Sequence, residues 1–225
     1  MNIREGALTS TSAQENIIRD FLTRFRNTFE RALEDRGRMD WNFFTHLVKS
    51  FETENLSLHR GIKLTVKFVL QSEVRSNPNE QPDRGSLDMI AVGKRYQIKM
   101  NMFYNFDGLE DSSFITGIKW NSFYTTFIHE YKHFLQAVRS GGANFRVNPN
   151  VDYYDNPIEQ QAWAEGYLEK IKYELQTDDL NSVINYLKKN ELRGMDGLQQ
   201  LKTTNPSAWR AIVKQVVLAA QRDFK

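Results

Sequence analysis

Histidine occurs only four times in the 225 residues, and two of the four frame the run His129-Glu130-Tyr131-Lys132-His133. On a helix, residues four apart lie one turn apart on the same face, so both imidazoles can reach a single metal ion. Glu130 is turned by about 100° from His129 and can border an open coordination position without being a ligand. Zinc held by three protein groups keeps a water whose pKa falls to about 7. A carboxylate beside it can take the proton during attack on a carbonyl, then hand it to a leaving amine. A chance H-E-x-x-H in a chain this long is on the order of a one-in-a-hundred event. The chain has no cysteine, so His, Asp and Glu are the only strong metal ligands it offers.

The pentapeptide needs a helix beneath it. From Trp120 to Val138 apolar residues recur at helical spacing, with Trp120, Phe123, Phe127, Tyr131, Phe134 and Val138 on one stripe. Thr126, His129, His133 and Gln136 are left on a separate flank. Ser140-Gly141-Gly142 stops this helix, and Asn156-Pro157 opens another that reaches about Gln176.

This pair of segments, from Trp120 to Lys170, resembles the active-site region of the zincin metallopeptidases, and the resemblance covers no more of the chain than that. The metzincin extension would need a glycine and a histidine where Gln136 and Arg139 stand. No histidine follows His133, and a deformylase-like site would want a cysteine. What remains is a downstream glutamate, as in the gluzincins. Glu159 in Glu159-Gln160-Gln161-Ala162 resembles the gluzincin E-x-x-A element, and this implies that Glu159 is the third zinc ligand, with the small Ala162 allowing close approach of the two helices. The acidic residue often found four positions after that glutamate is Trp163 here, which leaves the usual supporting carboxylate without a counterpart. Glu159 would also be the N3 residue of a capping box begun by Asn156. Glu165 and Glu169 are the alternative ligands.

A hydrolytic zinc site needs a donor for the developing oxyanion. Tyr153 and Tyr154, just before the Glu helix, are the candidates, with Arg139 and Arg146 as competitors. His46 and His59 are read as structural or exposed.

The remaining elements supply the frame. Ser12-Ala13-Gln14-Glu15 has capping-box form and opens a helix with Ile17, Ile18, Phe21, Leu22, Phe25, Phe29 and Leu33 at helical spacing, ending near Gly37. A second helix follows Asp40, with Trp41, Phe44, Leu47, Val48 and Phe51 inward; these aromatic helices are core and could double as a docking surface. Ile62, Leu64, Val66 and Phe68 then alternate with polar residues, as in a half-buried strand. After a loop from Gln71 to Gly85, a hairpin is expected to turn at Gly93-Lys94. The segment from Tyr96 to Phe103 could be an edge strand that receives an extended peptide, and Tyr104 to Gly117 could be a flap. Helices at about Asp178 to Asn190 and after Asn205-Pro206 complete the chain. The fold class is α+β: mainly helical with one small antiparallel sheet. A single domain, 1–225, is expected, with N-terminal helices in 1–58, sheet and metal-site helices in 60–176, and C-terminal helices in 177–225.

Thirty basic and 28 acidic residues give a net charge of +2, too balanced to imply nucleic acid or an anionic membrane. No signal segment or run of 18 apolar residues is present, which implies a soluble, cytoplasmic protein. The expected function is a zinc metallopeptidase, one Zn²⁺ per chain, acting on a protein or peptide through Glu130. A non-catalytic zinc scaffold and a metal-free helical interaction protein are the competing classes.

Overall fold

The computed structural model describes residues 12–52, 55–59, 62–71, 85–92, 95–105, 114–115, 120–139, 151–175, 179–190 and 198–224. The chain divides into two compact units, Met1–Gly117 with Ala137–Asn144, and Ile118–Gln136 with Phe145–Lys225. The division passes through 60–176, leaving the sheet in the first unit and the pentapeptide and Glu helix in the second. The class is α+β, as expected.

In the first unit, α1 (Ser12–Arg36) ends where Gly37 adopts φ 69° and returns its N–H to Leu33 O at 2.6 Å. A residue without Cβ takes that left-handed conformation at no steric cost. After β1 (Met39–Asp40), the Asp40 carboxylate accepts from the Phe43 N–H at 2.8 Å and caps α2 (Trp41–Glu52). Phe21, Phe25 and Phe29 of α1 interlock with Phe44 and Phe51 of α2, with Phe25 and Phe51 edge to face at 5.1 Å and Phe29 and Phe44 likewise at 5.7 Å. Such pairs add about 0.5–1.5 kcal/mol to their apolar burial.

The sheet holds β2 (Asn55–His59), β3 (Ile62–Gln71), β4 (Gly85–Val92) and β5 (Arg95–Asn105) in the order β2-β3-β5-β4. It is mixed rather than antiparallel, because β3 and β5 run parallel between two antiparallel neighbours. Alternation along a strand says which face is inward but nothing about the sense of pairing. Leu64, Val66 and Met100 are buried as the alternation requires. Val92 pairs with Arg95, which leaves Gly93-Lys94 as the hairpin connection; the turn itself lies outside the described residues. β5 is hydrogen-bonded on both sides, so Tyr96 to Phe103 is not an edge strand and cannot take up a peptide by strand addition. Of the expected flap, Tyr104 and Asn105 end β5, and β6 (Phe114–Ile115) pairs antiparallel with β1; the rest lies outside the described residues, as do the Gln71 to Gly85 connection and the side chain of His59. His46 is exposed on α2.

The second unit is helical. It contains α3 (Trp120–Arg139, whose last residues belong to the first unit), a single 3-10 turn at Tyr153–Asp155, α4 (Pro157–Leu175), α5 (Leu180–Asn190), α6 (Leu201–Thr204) and α7 (Pro206–Asp223). Caps set three of the helix starts. Asn156 Oδ1 accepts from Ile158 N–H at 3.0 Å, Asp179 from Ser182 N–H at 2.8 Å, and Asn205 from Ala208 N–H at 3.1 Å. Tyr167, Leu168 and Ile171 of α4 are buried with Val183 and Leu187 of α5 and Ile212, Val216, Ala219 and Ala220 of α7. Another face of α4 meets α3. A Cβ on Gly166 would stand 2.6 Å from the Thr125 carbonyl oxygen, so glycine is what allows the two backbones to come this close. Buried on more than one side, α4 shows no single apolar stripe in its sequence.

Candidate metal centre

His129 and His133 project from adjacent turns of α3, and Glu159 from the first turn of α4. All three are buried, Glu159 being 4% exposed. Their donor atoms converge: the two Nε2 atoms are 3.0 Å apart, and Glu159 Oε2 lies 3.5 Å from that of His129 and 3.3 Å from that of His133. Among the described residues these three form the group able to hold a metal ion.

The polar atoms around the group fit a cation. Glu159 Oε2 is buried and has no hydrogen bond of normal geometry, its neighbours being the two imidazole Nε2 atoms at 3.3 and 3.5 Å, and a buried carboxylate oxygen so placed is costly unless a cation meets it. Two imidazoles with Nε2 atoms in contact cannot both be charged. For His133 burial opposes the charge, but Glu159, then Glu130 and Gln136, outweigh it and raise its pKa. Burial and the neighbouring His133 hold His129 well below the usual range, so it presents a neutral, ligand-ready ring.

The alternative ligands are otherwise engaged. Glu165 receives Lys132 Nζ at 2.8 Å and a bidentate Arg222 at 2.8 and 2.9 Å. Burial alone would raise its pKa, but Arg222 and Lys132 bring it down to about 2. Glu169 pairs with Lys172 at 2.9 Å. Nor does Glu159 close a capping box. The Asn156 N–H goes to Tyr153 O at 3.4 Å, and the Glu159 Oε2 atom points at the imidazoles.

Glu130 is buried beside the group, and its charge is felt at His133 and at Tyr153. The two tyrosines part ways. Tyr153 is 43% exposed as a residue, yet its hydroxyl end is desolvated and faces the Glu159 carboxylate, and both effects raise its pKa. It therefore stays a donor at neutral pH. Tyr154 packs against the helical core of α4, α5 and α7, and burial followed by the charges of Asp152 and Glu159 raises its pKa as well. Arg146 and the side chain of Arg139 lie outside the described residues.

No protein-family model matches the chain, and no curated protein or solved structure matches it either.

Two contributors were visible in the sequence without their roles being legible. Gln136, on the same flank as the histidines, accepts from His133 Nδ1 at 2.9 Å through its Oε1. Trp163, standing where an acidic residue is often found, lays its ring 4.4 Å from that of His129. The indole restricts the imidazole by contact, and the backbone of Ala162 also acts on the ring, although His129 Nδ1 has no hydrogen bond of normal geometry. The spacing of Gln136 three residues after His133 was the available signal.

Proposed function

We propose that this chain is a zinc metallopeptidase of gluzincin type, in which His129, His133 and Glu159 hold one Zn²⁺ and Glu130 moves the proton. The observation that carries the reading is the convergence of two Nε2 atoms and one carboxylate oxygen at mutual distances of 3.0–3.5 Å. Donors about 2.0–2.2 Å from a tetrahedral zinc are about 3.3 Å apart, so the spacing suits that ion. Among the described residues three protein donors converge, which favours catalysis, since structural zinc is closed by four. Bound there, zinc supplies Lewis acidity toward a carbonyl and an acidified water.

The chain's own residues supply the rest. The Glu130 carboxylate accepts the proton of the attacking water and returns it to the leaving nitrogen. Tyr153, held protonated, donates from its hydroxyl to the developing oxyanion. Trp163 screens the His129 ring, and Glu159 offsets part of the metal's charge. The peptide bond as substrate is supported by the resemblance of the pentapeptide helix and the E-x-x-A element to zincins.

Elemental analysis of protein purified without chelator tests the reading. About one zinc per chain is expected, lost in His129→Ala and in His133→Ala. Full retention of zinc by both variants would overturn it.

A further inference from the structure

We propose that Gln136 is a positioning residue of the metal centre: it sets the tautomer and the orientation of His133 through the hydrogen bond at Nδ1. The inference rests on the metal-site reading above and concerns a residue outside the donor set.

Gln136 Nε2 is 3.1 Å from the carbonyl oxygen of Ile158 and 3.3 Å from Gln161 Oε1. A carbonyl oxygen only accepts, so the end of the amide facing Ile158 must be the NH₂. Its Oε1 is then left to face His133 Nδ1 at 2.9 Å, and an amide oxygen only accepts. Nδ1 of His133 must therefore carry hydrogen. In the neutral ring that leaves the lone pair on Nε2, the atom 3.3 Å from Glu159 Oε2. One side chain thus fixes the protonation of a prospective ligand atom on the far side of the ring.

The same amide also fixes position. Its bond to the Ile158 carbonyl anchors the amide, so that Oε1 holds the His133 ring in place. His129 Nδ1 has no hydrogen bond of normal geometry; its ring lies against Trp163 and the backbone of Ala162 in α4. A side-chain amide thus orients one imidazole, and the Trp163 ring with the Ala162 backbone the other. Partners that orient a ligating histidine contribute about tenfold to a hundredfold in metal affinity.

Three forms of the full chain separate orientation from simple helix bracing. Gln136→Met keeps length and shape but neither accepts nor donates; Gln136→Glu keeps the acceptor for Nδ1–H and loses the donor to Ile158. Zinc affinity is measured by chelator competition, and the His133 tautomer by long-range ¹⁵N NMR of the metal-free chain at pH 9. The wild type is expected in the Nδ1–H form. Gln136→Met should show mixed tautomers and bind zinc about tenfold to a hundredfold more weakly, whereas Gln136→Glu should hold the Nδ1–H form and stay within a few-fold of wild type. Equal affinity and an unchanged tautomer in Gln136→Met overturn the proposal and leave the metal reading standing. A Gln136→Glu variant as weak as Gln136→Met also overturns it, since a brace to Ile158 alone would account for both. Absence of zinc binding in the wild type overturns the metal reading, while the tautomer of the metal-free chain still decides whether Gln136 orients His133.

Discussion

Gly166 of α4 sits against Thr125 of α3 so closely that a Cβ on the glycine would lie 2.6 Å from the threonine carbonyl oxygen. Gly166 is seven residues after Glu159 and four after Ala162, on the same side of α4, and Thr125 is one turn before His129. The contact therefore sets the distance at which the carboxylate meets the imidazoles. It is a backbone contact, so no side-chain rotation can relieve it.

Gly166→Ala accordingly sets two effects of known size against each other. Helix propensity favours alanine by about 1 kcal/mol, while overpacking a tight contact costs about 1–3 kcal/mol. Because the neighbour is a carbonyl oxygen in a helix, the clash is expected to win. The variant should unfold at lower urea concentration and bind zinc more weakly than wild type. A raised urea midpoint would show that the helices separate without strain.

The Lys132–Glu165–Arg222 cluster ties α3, α4 and α7 together and carries its own pH dependence. Glu165 is depressed from 4.5 to about 2, so its contribution to stability is present above about pH 4.5 and is lost as pH falls toward 2. A shift of that size corresponds to roughly 3 kcal/mol. Glu165→Gln should be destabilised by about that amount at pH 7, with the gap to wild type narrowing on acidification through this window. A gap that stays constant between pH 7 and pH 3 would mean that charge is not what Glu165 contributes.

Why part of this was legible in advance follows from what each feature depends on. His129, Glu130 and His133 are linked by helical spacing alone, and the starts of α2, α4, α5 and α7 by caps within a few residues, so short-range sequence specifies them. The parallel pairing of β3 with β5 depends on where a connection returns the chain, which alternation does not encode. Gln136 and Trp163 act across space on rings of another turn or another helix. Glu165 stands behind Glu159 as an alternative ligand in the sequence, and what removes it is Arg222, far away in sequence, which occupies its carboxylate.

Glu130→Gln is expected to fold and retain zinc while losing about 10²- to 10⁴-fold in turnover of a peptide that the wild type cleaves. Glutamine keeps the shape of the side chain but has no carboxylate to take a proton. Metal content and kcat measured on one preparation check this, and near wild-type turnover would remove Glu130 from the proton path.

The two tyrosines should separate in the same assay. Tyr153→Phe removes the hydroxyl that faces Glu159 and should lower kcat by about 10²-fold with little change in zinc affinity. Tyr154→Phe alters a ring packed on the helical core and should leave kcat close to wild type. If the losses are reversed, Tyr154 is the oxyanion donor.

Glu159→Gln tests the third ligand. Capping does not complicate the result, because α4 is capped by Asn156 Oδ1 accepting from Ile158 N–H, and the Asn156 N–H is directed to Tyr153 O. The substitution is isosteric, so helix content and the fit of α4 against α3 should persist. What changes is charge. A neutral amide oxygen is a poor zinc ligand beside two imidazoles, and without the carboxylate the metal's charge is no longer offset in a buried site. Zinc affinity should fall at least roughly tenfold, with activity lost most completely in chelator-buffered solution. Glu165→Gln and Glu169→Gln serve as internal comparisons, since their carboxylates already pair with Lys132, Arg222 and Lys172. Both should keep zinc, although Glu165→Gln is less stable. Loss of zinc confined to Glu159→Gln identifies the ligand, and zinc held by Glu159→Gln as tightly as by wild type would remove Glu159 from the donor set.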